Sequence, residues 1–295
     1  MPDQGSQAVR QRRLAAELRR LREQAGLTGD EAAEQLGWSG SKISRIELHR
    51  IGVKAADLTR LLDLYQVDAA YGQELQALAT ESSRTGRAPV AAGMPADFAE
   101  YLSAEREAGS IWHWNPLAVP GLLQTEAYTR AVHLGYQSMF RLPPGDVERR
   151  IQLRRSRQQV LSRIPPLGLS VVIDEAVLHR RFGDNAVMRA QLRWLAEVSD
   201  AASVTASIEV RVLPLDGEHM VAGGFSHMQF PQVHDVPLRD LVYLEHLTGS
   251  YYLEDEEQAY RYRVTFEGLL EKSLDPAQSS ELINKTARDT WAGRE

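Results

Sequence analysis

The chain has 295 residues, a formal net charge of −6 and no cysteine. A negative charge excludes binding to nucleic acid by overall electrostatic attraction, so any contact with DNA requires a local basic patch. The lack of cysteine excludes disulfides and thiolate metal sites. The length predicts two domains. Because no apolar run could span a membrane and residues 1–13 lack the apolar stretch of a signal peptide, we expect a cytoplasmic protein.

The stretch LTGDEAAEQLGWSGSKISRIELHR, residues 27–50, has the residue order of a helix-turn-helix. Thr28 and Glu31 have the spacing of a capping box, which predicts that a helix begins here. Gly37 stands where a chain that leaves a helix commonly turns through positive φ. Together these signals predict two short helices joined by a tight turn.

The second helix of this motif has one apolar and one polar face. Ile43 and Ile46 share a face and are predicted to point to the core. The polar face carries short hydrogen-bond donors and cations, which suit a helix that lies in a DNA major groove. The predicted DNA-contacting residues are Thr28, Ser39, Gly40, Ser41, Lys42, Ser44, Arg45, His49 and Arg50.

The chemistry of these side chains predicts their individual roles. We expect Arg45 to contact a base or a phosphate and Lys42 to contact a phosphate. Ser41 and Ser44 are expected to contact base edges. The principal contribution to sequence preference is therefore predicted for Arg45.

Charged residues around the motif are expected to form the local basic patch. Glu47 would repel phosphate, and we expect it to pair with an arginine of the first helix such as Arg20. The cations of the predicted patch are the arginines of the first helix with Lys42, Arg45, Arg50 and Lys54.

Composition along the chain predicts two domains of different class. Amphipathic helices before and after the motif predict an all-α helix-turn-helix domain over residues 8–84, which resembles the λ-repressor/Cro-like class. Residues 85–95 are rich in small residues, glycine and proline, as is typical of a linker. Residues 96–292 are predicted to form an α+β domain.

Elements of the second domain follow from apolar periodicity. Helices are predicted over residues 98–108, 125–134, 147–164, 189–198, 256–270 and 278–291, with a further one that Asp174 caps in EAVLHRRF. Strands are predicted for LGLSVVI, IEVRVLP and FSHMQF, and for LVYLEHL and SYYLED, a hairpin pair joined through Thr248 and Gly249. The stretch IWHWNPLAVPGLLQ, with its two prolines, is predicted to be irregular.

Aromatic residues supply candidate ligand or partner sites in this domain. Trp112, Trp114 and Tyr128 flank a proline-rich loop and either line a small-molecule pocket or anchor the core. Tyr251 on the predicted hairpin carries the same two alternatives, and an exposed hairpin edge could also accept a strand from a partner.

Catalytic and metal-binding patterns are weak in this sequence. Glu175 and His179 are four residues apart on a predicted helix, which fits either a metal site or an ion pair beside Asp174. No closely spaced histidine pair, nucleotide-binding loop or nucleophile motif is present in the sequence. We therefore expect no enzymatic activity, no cofactor and no metal.

The second half resembles the C-terminal domain of WhiJ-type regulators of filamentous actinomycetes. The segments that carry this resemblance are WNPLAVPGLLQTEAYTRA, RRIQLRRSRQQVL, VVIDEAVLHRRFGD, IEVRVLP, FSHMQFP and LVYLEHLTGSYYLED. The resemblance implies an antitoxin-like transcriptional regulator of the XRE class that acts with a small partner protein, often encoded beside it. The chain departs from the class at Gly29 and Gly40, where longer polar residues are common.

These expectations combine into one functional hypothesis. A single helix-turn-helix module covers roughly 600–1,000 Å² of protein surface, too little for tight operator binding alone. We therefore expect a homodimer that binds double-stranded DNA, with the second domain mediating dimerisation and the binding of a small protein. The alternative is a regulator that senses a small molecule through a pocket in that domain.

Overall fold

The computed structural model describes residues 6–84, 96–137, 145–200, 207–217, 221, 223–231, 239–246 and 249–292. The chain divides into two compact units, Met1–Ala108 with Gln229–Asp240, and Gly109–Met228 with Leu241–Glu295. The predicted linker, residues 85–95, lies outside the described residues. Within the described ranges, no helix combines the length and the apolar character that a membrane crossing requires.

The first unit is helical throughout its described elements. Its helices are α1 (Ser6–Gln24), α2 (Gly29–Leu36), α3 (Gly40–Glu47), α4 (Ala55–Leu64), α5 (Ala69–Arg84) and α6 (Ala96–Glu107). Apolar residues of α1 to α5 meet in one core, and leucines predominate among them. The buried isoleucines Ile43 and Ile46 fix α3 to this core, as the sequence predicts.

The turn between α2 and α3 has the predicted capping residues. Thr28 and Glu31 form a complete capping box at the start of α2. Gly37 ends α2 in the left-handed conformation, with φ 65° and ψ 35°. Three residues, from Gly37 to Ser39, then separate α2 from α3, as in helix-turn-helix motifs.

Two glycines of this motif are expected to respond oppositely to alanine. Gly37→Ala places a Cβ at a left-handed φ and should lower the free energy of unfolding by about 1–2 kcal/mol. Gly29→Ala lies in the first turn of α2, where a Cβ would stand 3.9 Å from Ile43 Cγ2, an ordinary contact. This second change should leave stability unchanged or raise it by up to about 1 kcal/mol.

Urea unfolding followed by far-UV circular dichroism measures both effects. An unaltered midpoint for Gly37→Ala would show that the turn does not depend on the left-handed glycine.

The second unit is built on a mixed six-stranded sheet. Its strands are β1 (Ser110–Asn115), β2 (Gly168–Asp174), β3 (Ser207–Leu213), β4 (Phe225–Gln229), β5 (Leu241–His246) and β6 (Gly249–Leu253). The strand order is β3-β2-β1-β4-β5-β6. β1, β2 and β3 run parallel to one another, whereas β4, β5 and β6 are antiparallel.

Helices complete this α+β unit, and the predicted fold class is confirmed. They are α7 (Glu126–Gln137), α8 (Asp146–Arg157), α9 (Ala176–His179), α10 (Asn185–Asp200), α11 (Glu256–Lys272) and α12 (Pro276–Asp289). α11 packs on the sheet through Ala259, Phe266 and Leu269, beside Trp114 of β1. Asp255 begins α11 by accepting a 3.0 Å hydrogen bond from the Gln258 backbone N–H.

Three sequence expectations for this unit need correction. The stretch predicted to be irregular contains β1, a strand inside the sheet whose neighbours are β2 and β4. The helix predicted over residues 147–164 ends at Arg157 and continues only as a 3₁₀ turn over Gln158–Ser162. The helix after Asp174 has one turn, although the Asp174 carboxylate does accept a 2.7 Å bond from the Ala176 N–H.

Candidate nucleic-acid interface

The outward face of α3 carries the predicted polar side chains. Ser41, Ser44 and Arg45 are exposed, while Ile43 and Ile46 on the opposite face are buried. Ser39 precedes the first residue of α3, yet its side chain makes no capping hydrogen bond to the helix. Its hydroxyl oxygen lies 3.0 Å from that of Ser41. The backbone N–H groups at the positive N-terminal end of α3 therefore do not donate to the Ser39 side chain.

Three exposed cations lie on α3 and on the segment that follows it. They are Arg45 on α3, Arg50 after its end, and Lys54 immediately before α4. Among the described residues, none of these three side chains has a hydrogen-bond or ion-pair partner. Their charges remain available to a polyanion at no cost in broken ion pairs.

Lys42 differs from these three cations because its ammonium group already has partners within the protein. Its Nζ lies 2.9 Å from Asp57 Oδ2 of α4 and 3.5 Å above the centre of the Trp38 ring. The same ring faces the Arg60 guanidinium at 5.3 Å. Asp57 and Trp38 were not predicted from the sequence as partners of Lys42, since no local spacing relates them to it. A phosphate contact by Lys42 would have to share this cation with Asp57.

Thr28 and Gly40 contact other residues of the motif and shape its local structure. The Thr28 hydroxyl donates to Glu31 Oε2 at 2.7 Å, and the Glu31 N–H donates back to it at 3.2 Å. The Thr28 backbone N–H also donates to Glu31 Oε2 at 2.7 Å, and this bond, together with the one from the hydroxyl, lowers the pKa of the Glu31 carboxyl. At Gly40, an added Cβ would clash with Asp30 Oδ1, so the absence of a side chain lets α3 begin against Asp30.

His49 lies beyond the end of α3 and contacts α1. It has a positive φ of 53°, is half-buried, and places Nε2 3.2 Å from Gln11 Oε1. Burial, with the nearby Arg12 charge, lowers the pKa of the imidazole. The imidazole is thus held against α1, apart from the exposed side chains of α3.

Glu47 pairs with the first helix, as expected, but through a different arginine. Arg22 Nε and Nη2 donate to the two carboxylate oxygens of Glu47 at 2.7 and 2.9 Å. Arg22 also donates to the Leu27 carbonyl at 2.7 Å, so one side chain joins α1, the start of α2 and α3. The expected partner, Arg20, is instead paired with Glu17 three residues earlier on α1.

The expectation that the α1 arginines form the basic patch is wrong for the described side chains. Arg12 and Arg13 are buried, Arg12 against Glu100 and Arg13 donating to the Pro231 carbonyl at 2.9 Å. Arg19 is paired with Glu23 at 2.8 Å. The arginines of α1 whose side chains are described therefore have partners within the first unit. The candidate basic patch consists of the cations after Gly40.

The aromatic candidates of the second unit lie in or near its core. Trp114 and Tyr128 are fully buried, and burial raises the pKa of the Tyr128 phenol to about 12. Trp112 stacks on Phe266 with ring centres 5.4 Å apart, whereas Tyr128 packs edge-on against Phe182. These contacts favour the core-anchor alternative over a shared pocket for the three residues.

Tyr251 and the Glu175–His179 pair lie on the surface of the second unit. Tyr251 is exposed on β6 and packs edge-on against His246. His179 Nε2 lies 3.8 Å from Glu175 Oε1, and Glu175 Oε2 accepts a bond from the Leu215 N–H. Within the residues that the structure describes, no group of three metal-ligating side chains is assembled.

Two family models match separate parts of the chain. Residues 13–78 match a helix-turn-helix domain family, which supports a DNA-binding regulator. No curated protein and no solved structure shows significant similarity to the chain. Residues 98–285 match the family described as Domain of unknown function (DUF5753). Because this second match covers more than half of the sequence, the chain belongs to the DUF5753 family, here with a helix-turn-helix domain before it.

Proposed function

We propose that the protein is a sequence-specific transcriptional regulator of the XRE class that inserts α3 into the major groove of its operator. The observation that carries this proposal is the exposed row of Ser41, Ser44 and Arg45 on a helix anchored from behind by two buried isoleucines. Short hydroxyls and a guanidinium are the donors that distinguish bases in the major groove.

The surroundings of each side chain suggest a division of tasks. Arg45 contacts a base, and the hydroxyls of Ser41 and Ser44 contact base edges. Arg50 and Lys54 contact phosphates on either side of the groove. Ser39 and Gly40 lie at the start of α3, where backbone N–H groups can bind a phosphate, and Thr28 lies at the capped start of α2. Lys42 and His49 contribute less, because Asp57 and Gln11 already engage them.

Dimerisation belongs to the same proposal. One module of this size cannot account for tight binding, whereas two copies would double the contact and bind a palindrome with half-sites about one helical turn apart. In this proposal the second unit supplies the contacts between copies. It also binds a small partner protein in an antitoxin-like manner, for which the exposed Tyr251 on the edge strand β6 offers a surface.

Selection of random DNA duplexes by the full chain tests this function. We expect enrichment of a symmetric motif, with binding that weakens steeply as salt is raised, because phosphate contacts release counterions. Absence of any enriched sequence after repeated rounds would contradict the proposal. Co-purification with a small protein encoded beside it tests the partner separately.

Removal of the Asp30 charge is expected to strengthen DNA binding. The Asp30 carboxylate lies against Gly40 at the start of α3, where a phosphate is proposed to bind. Asp30→Asn should raise operator affinity by about two- to fivefold, since a carboxylate at a helix N-terminus changes the binding of an anion there by roughly 0.3–1 kcal/mol. Fluorescence anisotropy at fixed salt measures the dissociation constant.

The matched control is Asp63→Asn, which removes an exposed carboxylate from α4. An equal gain for both variants would indicate a general charge effect and contradict a phosphate site at the start of α3.

A further inference from the structure

The outward face of α11 exposes two large apolar side chains. Tyr260 is 54% exposed and Val264 is 45% exposed, although the opposite face of the helix is buried on the sheet. Residues four apart share one face of a helix, so the two side chains form a continuous apolar strip. The guanidinium of Arg263 lies 5.0 Å from the Tyr260 ring and leaves most of this strip uncovered.

The strip ends in a notch at Gly268, one turn beyond Val264. A Cβ built at Gly268 would meet no atom within 4 Å, which shows that its side-chain position opens into solvent. Tyr260 and Gly268 are therefore a bulky and a vacant position at equal distances from Val264. If two such helices meet antiparallel, the ring of Tyr260 fits over Gly268 of the second copy.

The charges beside the strip have the same symmetry. Arg261 and Glu267 are exposed and stand three residues before and three residues after Val264. Antiparallel pairing centred on Val264 places Arg261 opposite Glu267 of the second copy, twice in one interface. Within the described parts of one chain, Arg261 pairs with the exposed Glu257 on its own helix, a contact of little energetic value.

We propose that α11 pairs with α11 of a second copy about a twofold axis at Val264. Such an isologous contact requires one surface that is complementary to itself in shape and in charge. Tyr260 with Gly268 meets the first condition and Arg261 with Glu267 meets the second, although the same register brings the exposed Glu257 opposite Glu271 of the second copy, a like-charge pair farther from the axis. The inference deepens the proposed function by naming the surface that joins two DNA-binding units. It is tested without DNA, so its failure would leave the role of α3 untouched.

The first experiment measures molar mass over a dilution series of the full chain. We expect a dimer that dissociates on dilution, with dissociation complete only well below about 100 μM chain. Val264→Glu should weaken dimerisation by more than about tenfold, because it buries charge at the axis. Trp194→Ala is the matched control, because Trp194 is 41% exposed on α10 and its removal should change nothing.

A charge exchange tests the antiparallel register and guards against misfolding. Arg261→Glu alone and Glu267→Arg alone each place like charges opposite one another and should weaken the dimer. The double variant restores opposite charges and should restore the dimer. A wild-type monomer at about 100 μM chain, a dimer insensitive to Val264→Glu, or a double variant as weak as the singles would each overturn the proposal.

Cysteine cross-linking locates the axis directly, because the natural chain contains no cysteine. Under mild oxidation, Val264→Cys should form a disulfide between copies, since a residue on a twofold axis meets itself. Ala190→Cys on α10, which is also exposed, should remain monomeric in the same gel. Equal cross-linking at both positions would indicate random collision and contradict the proposed axis.

Discussion

Replacing Arg45 with alanine is expected to weaken operator binding by roughly 5- to 150-fold, the effect of losing about 1–3 kcal/mol from a bidentate contact to guanine. Arg45 is exposed on α3 and, among the described residues, has no partner that would compete with DNA for its guanidinium. Its removal therefore takes away a contact made only in the complex. Fluorescence anisotropy on the selected duplex, at one salt concentration, measures the change.

Two further variants distinguish the loss of a specific base contact from a general loss of positive charge. Arg19→Ala removes the same charge from α1, where Arg19 is paired with Glu23, and should leave affinity within about twofold. Arg45→Lys keeps the charge but not the planar fork, so it should recover phosphate contact without base discrimination. Equal affinity of wild type and Arg45→Ala would show that α3 is not the helix in the groove.

Glu47→Ala is expected to lower the free energy of unfolding of the first unit by about 3 kcal/mol. The Arg22 and Glu47 side chains are only 11% and 9% exposed, and two hydrogen bonds join them. The hydrogen bonds that Arg22 donates to Glu47 raise the pKa of Arg22, in keeping with a stabilised cation. Removal of one member leaves a nearly buried charge without its partner, which is the costly case for an ion pair. Chemical denaturation measures the loss.

The exposed pair of Arg19 and Glu23 on α1, the helix that carries Arg22, provides the control. Glu23→Ala breaks the surface contact with Arg19 and a longer contact, 3.7 Å, with Arg22, and should cost less than about 1 kcal/mol. The double variant Arg22→Met with Glu47→Leu should regain most of the stability, because apolar side chains of similar volume need no partner. A Glu47→Ala protein as stable as wild type would mean that this ion pair does not hold α3 in place.

Sequence-local signals predicted the helix-turn-helix well. A capping box fixes the start of α2 through bonds between residues three apart, and Gly37 ends it through its own φ preference. The burial of Ile43 and Ile46 follows from helical periodicity alone. Such features depend on neighbours within one turn, which a sequence displays directly.

Long-range partners could not be predicted in the same way. Arg20 forms its ion pair with Glu17, three residues earlier on the same helix. Glu47 of α3 therefore pairs with Arg22 and not with Arg20. The pairing of Lys42 with Asp57 likewise depends on how α4 crosses α3. β1 was missed because parallel strands pair over long separations, and the prolines after Asn115 obscured a six-residue strand.

Photo-cross-linking from α3 tests its placement in the groove most directly. Ser44→Cys introduces one thiol on the exposed face of α3 in a chain that otherwise has none, and a light-activated reagent attached there attacks nearby DNA. We predict adducts on bases within the enriched motif for Ser44→Cys, and none for Ala77→Cys on the exposed side of α5. A Ser44→Cys protein that binds the operator fully but yields no base adduct would contradict the insertion of α3 into the major groove.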